Sequence, residues 1–241
     1  MQNKLACDAE TGVCQIPDIE VVGQAPFTYQ PGVKIAYIGD PLCSWCWAVS
    51  PVVGALQGWC TEQGLRYVIV AGGLRPGGGD PWNDQFKAFL RHHWDEIAKV
   101  SGQPFRFDLF ERASFNYDSL PPCRALVVAR DLLDARDDNS HTLHQFFAAV
   151  QRRFYVENED PGQINFYREP CTQTGIDFAA FSAGFNAAQS EEKAVADFHL
   201  NRSWGVRGFP GFAFIKDEKA EILASGYVDL PTLTERIGRL L

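Results

Sequence analysis

The chain has 241 residues, 46% of them hydrophobic, and its 18 Phe and 6 Trp exclude global disorder while allowing one large domain or one domain carrying an insert. The formal charge of −8 comes with no basic stripe, so nucleic acid is not an expected partner. No run of 18 apolar residues occurs, and no membrane-spanning helix is expected.

Residues 1–32 read as an N-terminal extension with the character of a tail. They hold Gly12, Gly23, Pro17, Pro26 and Pro31 and show little periodicity. The first ten residues have one Lys, then acids, and no apolar core, which is not the pattern of a secretory signal and predicts a cytoplasmic protein. In that compartment a close Cys pair points to catalysis or metal binding rather than to a structural disulfide. Residues 33–82 have the order strand, helix, strand. Val33 to Gly39 is a short buried strand, and the turn Gly39-Asp40-Pro41 follows it. A helix is expected from about Cys43 to Gly64, interrupted by Pro51 and Gly54, before a second strand over Arg66 to Ala71. The Gly/Pro-rich loop GGLRPGGGDP closes this parallel unit.

Residues 83–204 turn helical. Phe86, Phe89, Leu90, His93 and Ile97 repeat at helix spacing, as do Leu143, Phe146, Phe147, Val150 and Phe154, with further helices expected over 125–135, 178–188 and from Ser190 to Gly205. Residues 205–241 return to strands: Gly211 to Lys216 and Ala220 to Ser225 form an antiparallel hairpin about Asp217-Glu218-Lys219, and Asp229 with Pro231 opens a last helix to Leu241. The fold class is α/β.

Seven cysteines are present: Cys7, Cys14, Cys43, Cys46, Cys60, Cys123 and Cys171. An odd number cannot pair completely within one chain, and the two CxxC pairs of a zinc ribbon are missing. The segment DPLCSWCWAVSP carries the strongest chemical signal. Cys43 falls where a strand ends and a helix begins, so unpaired backbone N–H groups and the helix dipole favour its thiolate. Cys46 lies three residues on, one helical turn away, placed to attack a mixed disulfide formed on Cys43. Ser44 and Trp45 between them tune the pair, and Trp45 is expected on an exposed apolar rim that receives substrate, with Trp47 facing the core. Pro210, in the segment GVRGFPG before a strand, is a candidate cis proline.

CSWC, Pro51 and GVRGFP before the terminal hairpin resemble the thioredoxin fold. With the long helical insert they are similar to the DsbA family of thiol–disulfide oxidoreductases, in its FrnE-like branch, over residues 33–241. The resemblance implies a thioredoxin fold with a large helical insertion, a cis Phe209–Pro210 peptide against the active-site sulfurs, and pairing of the Phe209 backbone with an extended substrate. Asp40, three residues before Cys43, occupies a position that implies help with proton movement. Trp45 replaces the His of periplasmic DsbA, which predicts a less oxidising pair. The extension with Cys7 and Cys14 is not part of the core family pattern.

These features predict a reductase or isomerase of protein or small-molecule disulfides, with glutathione as a possible partner, no cofactor and no metal. Two alternatives stand beside it. One is a glutathione-dependent transferase or isomerase of the kappa type, for which Ser44 speaks. The other is a redox-sensing or metal-binding interaction protein using Cys7, Cys14, Cys43 and Cys46. Cys7 and Cys14 could form a second redox pair, clip a loop or stay free. Cys60, Cys123 and Cys171 read as buried, inert thiols, with Cys123 placed to start a helix near the cleft. His93 reads as a core histidine, His92 with it makes a poor metal pair, and His199 could approach the active site.

Overall fold

The computed structural model describes residues 7–8, 11–15, 32–134 and 140–241. In chain order the elements are β1 (Cys7–Asp8), β2 (Val13–Gln15), β3 (Lys34–Gly39), α1 (Ser44–Ala48), α2 (Ser50–Glu62), β4 (Arg66–Ala71), α3 (Asp84–Ser101), α4 (Leu120–Asp134), α5 (Ser140–Tyr155), α6 (Arg168–Gln173), α7 (Phe178–Asn186), α8 (Ala188–Ser203), β5 (Gly208–Phe209), β6 (Gly211–Lys216), β7 (Lys219–Ser225) and α9 (Leu230–Gly238).

A four-stranded sheet runs β4-β3-β6-β7. β3 and β4 are parallel, with Lys34 opposite Arg66 and Gly39 opposite Ala71, whereas β6 runs antiparallel to both β3 and β7. Side chains alternate across a strand, so Ile35, Tyr37, Tyr67, Ile69, Phe212 and Phe214 face one core, shared with the helices of the insert. Ala36, Ile38, Val68, Val70, Ala213 and Ile215 face a smaller cluster that contains Cys43 and Cys46. The mixed α/β architecture is that of a thioredoxin fold interrupted by α3–α7.

The expected long helix after Cys43 is two helices. Val49 sits at φ −86°, ψ −4° between α1 and α2, and Pro51 lies in the first turn of α2, where its missing N–H costs nothing. The last helix stops at Gly238. The greater departure concerns the extension. Residues 7–8 and 13–15 are not a tail but a β-hairpin, and β2 pairs antiparallel with β5, Cys14 opposite Phe209 and Gln15 opposite Gly208. Gly12 turns the hairpin at φ +67°, where a Cβ would come within 2.9 Å of the Tyr227 backbone nitrogen. Backbone pairing that joins distant segments leaves no periodic trace in five residues. The rest of the extension, 1–6, 9–10 and 16–31, lies outside the described residues.

Candidate active site

The site is assembled at the C-terminal end of β3. The chain turns sharply at Asp40, whose carbonyl accepts from the Cys43 N–H at 3.0 Å and whose Oδ1 accepts from the Leu42 N–H at 2.8 Å. This delivers Cys43 to the N-cap of α1 in extended conformation (φ −87°, ψ 116°), and Trp47 N–H then closes the first helical turn onto the Cys43 carbonyl. Cys46 follows inside the turn. Both cysteines are free thiols and wholly buried.

Phe209 reaches the same point from β5. The Cys43 thiol donates to the Phe209 carbonyl at 3.8 Å, and the Phe209–Pro210 peptide is cis. Phe209, 166 residues from Cys43 in the chain, thus meets it through its carbonyl, with the cis Pro210 next in sequence.

Asp40 is fully buried. Its Oδ2 accepts from the Leu74 N–H at 2.7 Å and from the Cys123 thiol at 3.4 Å. Burial raises its carboxyl above the usual carboxylate range, and the N–H donors of Leu74 and Leu42 oppose that rise. The Leu74 loop is itself fixed by α8. Asp197 accepts from the Ala71 N–H at 2.8 Å and pairs through both oxygens with Arg130, while Asn201 Nδ2 donates to the Ala71 and Gly72 carbonyls. Cys123, in the first turn of α4, is therefore a partner of Asp40 rather than inert filling. Asp197 and Asn201 escaped sequence analysis because single polar residues within helical segments carry no local signal of burial.

Two expectations about the cysteine segment are corrected. Trp45 is not on an exposed rim: it is 2% exposed, with its ring against Tyr227 at 5.7 Å and His93 at 6.5 Å. Nor is Cys43 an open thiolate in this arrangement. Burial pushes its thiol well above the ordinary value, and nearby Cys46 and Asp40 push the same way. The helix start is present, but loss of water around the sulfur outweighs it. The covering group is the N-terminal hairpin, whose Cys14 is wholly buried among Cys43, Cys46, Trp45 and Phe209. Trp47 faces inward as expected, stacked on Tyr155 with its indole N–H on the Pro104 carbonyl at 3.0 Å. Ser44 is buried in α1 beside the pair. His199 is half-buried on α8.

Cys7 and Cys14 are joined as a disulfide. A nitrogen of His93 lies within 4.8 Å of both sulfurs, making this trio the candidate metal cluster among the described residues. Metals take the thiolate, and bonded sulfurs do not supply one. His93 is 6% exposed, and its Nε2 is without a hydrogen-bond partner.

No family model matches the chain. A curated relative, the ClpXP adapter protein SpxH of Halalkalibacterium halodurans, is 22% identical over 91% of this chain and 70% of its own length. Among solved structures, a protein described as a putative protein disulfide isomerase from Nitrosomonas europaea is 28% identical, covers 86% of this chain and 96% of its own, and superposes with a TM-score of 0.76. The cytosolic disulfide reductase DsbM from Pseudomonas aeruginosa is 26% identical over 86% of this chain and 97% of its own, with a TM-score of 0.67, and a structure of it with GSH is also similar. The chain is thus a DsbA-like thioredoxin-fold protein, and the structures it resembles are those of thiol–disulfide oxidoreductases.

Proposed function

We propose that Cys43 and Cys46 are the redox pair of this oxidoreductase, acting as a reductase or isomerase on protein or small-molecule disulfides. The observation that carries the proposal is the Cys43 thiol at the N-cap of α1, 3.8 Å from the Phe209 carbonyl, with Cys46 one turn further along. Cys43 attacks a substrate sulfur as the thiolate, the substrate's other sulfur leaves, and Cys46 resolves the mixed disulfide by attacking Cys43. An extended substrate would pair with the Phe209 backbone in the place that β2 holds in this structure, Pro210 closes the site beside it, and Ser44 and Trp45 line it. Asp40, with its raised carboxyl and its thiol partner Cys123, is a positioned proton acceptor close to the pair; His199 has no comparable support.

The cytosolic setting and the bound GSH of the DsbM structures support a small thiol such as glutathione as electron donor, and a cytoplasmic location. Among the described residues no helix is long and apolar enough to cross a membrane. In a glutathione-poised cytosol a reductase direction is favoured over oxidation. The kappa-type alternative has no use for a second thiol one turn from Cys43.

The test is glutathione-coupled reduction of a model disulfide by the purified full chain. Cys43→Ser is expected to lower turnover by more than about a thousandfold, and Cys46→Ala to accumulate substrate covalently on Cys43. Retention of turnover by Cys43→Ser would refute the assignment.

A further inference from the structure

The edge at which a substrate strand would pair is already occupied by this chain's own disulfide. β5 has two residues, and its free side is filled by β2, with Cys14 directly opposite Phe209. The Phe209 carbonyl is the group that the Cys43 thiol contacts at 3.8 Å. Residues opposite each other in an antiparallel pair have Cα atoms about 4.5–5.5 Å apart, so the Cys14 backbone lies one strand-spacing from the residue that touches the nucleophile. Cys14 is 0% exposed and belongs to the same apolar cluster as Cys43 and Cys46, with Cys7 packed against it.

The fit is built into the surrounding residues. A Cβ on Gly208 would come within 2.2 Å of Val13 Cγ1, so the close approach of β2 to β5 needs glycine there. Strands of two and three residues do not hold together unaided, and the bond between Cys7 and Cys14 closes the hairpin that presents Cys14. The His93 ring flanks the disulfide, with a nitrogen within 4.8 Å of both sulfurs and Nε2 unpaired. A disulfide has no proton to give that nitrogen, whereas a reduced Cys7 has one. Burial keeps His93 below its ordinary pKa, hence neutral and able to accept.

We propose that the Cys7–Cys14 disulfide is an in-chain substrate of the Cys43–Cys46 pair, held at the Phe209 edge in the place of an incoming strand, so that the protein carries two redox centres that exchange electrons directly. The proposal rests on Cys43 and Cys46 being the redox pair. Cys43 as thiolate attacks Cys14 Sγ; the Cys14–Cys7 bond breaks, the Cys43–Cys14 bond forms, and Cys7 leaves as thiolate beside His93. Cys46 then attacks Cys43 and releases Cys14. One disulfide is broken and one made. Two electrons pass from Cys43 and Cys46 to Cys7 and Cys14, and the two thiol protons end on Cys7 and Cys14. Run backwards, the same steps deliver electrons from a reduced hairpin to the CxxC pair.

The experiment uses the full-length Cys46→Ala protein, in which the second step is blocked. It is acid-quenched, alkylated with N-ethylmaleimide and digested without reduction for mass spectrometry. The expected result is a peptide pair linked through Cys14 and Cys43, with Cys7 alkylated; Cys46→Ser repeats the trap with a smaller change in packing. A parallel sample is offered 5,5′-dithiobis(2-nitrobenzoic acid). If Cys43 reacts with that reagent but Cys7 and Cys14 remain linked in both variants, the in-chain exchange is refuted and the redox pair stands. If Cys43 reacts with neither, both proposals fall.

Discussion

The two faces of the central sheet are built from side chains of different size, and they do different work. On one face Tyr37, Tyr67, Phe212 and Phe214 meet the aromatic-rich helices of the insert. On the other, Ala36, Val68, Val70 and Ala213 leave a shallower layer, and into it fit Cys43, Cys46, Phe209 and the docked Cys14. The large face welds the insert to the sheet. The small face leaves room for a second backbone, that of the hairpin, to approach the cysteines.

That division predicts separable effects. The largest is expected from Phe181→Ala on the insert side. Phe181 is 0% exposed, with Phe146 and Tyr167 rings 5.7 and 5.5 Å away, so truncation should cost about 3–5 kcal/mol of stability in denaturant titration. The rate at which iodoacetamide alkylates Cys43 in the folded fraction should stay within about twofold. A parallel change in both would show that the faces are mechanically one.

A smaller effect, confined to the other face, is expected from the double variant Cys7→Ser, Cys14→Ser. Burial is the leading cause of the raised Cys43 pKa. Loosening the hairpin should therefore move the pH profile of Cys43 alkylation to lower pH and raise the rate at pH 7.5. An unchanged profile would mean that the hairpin contributes nothing to the silence of that thiol.

The smallest effect is on pH dependence, and it belongs to the large face. Burial pushes the thiols of Cys60 and Cys171 from 9.0 up to about 12. The unfolded chain loses these protons above pH 9 while the folded chain keeps them, so stability is intact below that pH and falls as pH rises from about 9 to 12. Thermal melts at pH 8 and pH 10 should differ by a loss on the order of 1 kcal/mol per thiol. Cys171→Ala should show a shallower alkaline slope.

Much of this arrangement is legible in the chain. Largely apolar runs such as KIAYIG and GFAFIK mark the central strands, and the apolar repeat of Leu143, Phe146, Phe147, Val150 and Phe154 marks α5. CSWC at a strand-to-helix junction locates the thiols. The burial of Asp40 and its bond to Cys123 are not legible, because they join segments 83 residues apart through side chains that also suit a surface. Trp45 misleads for a related reason: its exposure depends on whether Tyr227, His93 and the hairpin pack on it.

By itself the sequence determined the order of strands and helices, the insert between them, and the i, i+3 spacing that puts Cys46 one turn from Cys43. Those properties rest on local periodicity and local backbone preference. Tertiary structure alone decided that Cys14 faces Phe209 and that the Cys43 thiol lies buried in the same cluster. Both depend on hydrogen bonds and excluded water between segments nearly 200 residues apart, and no local pattern encodes such a meeting.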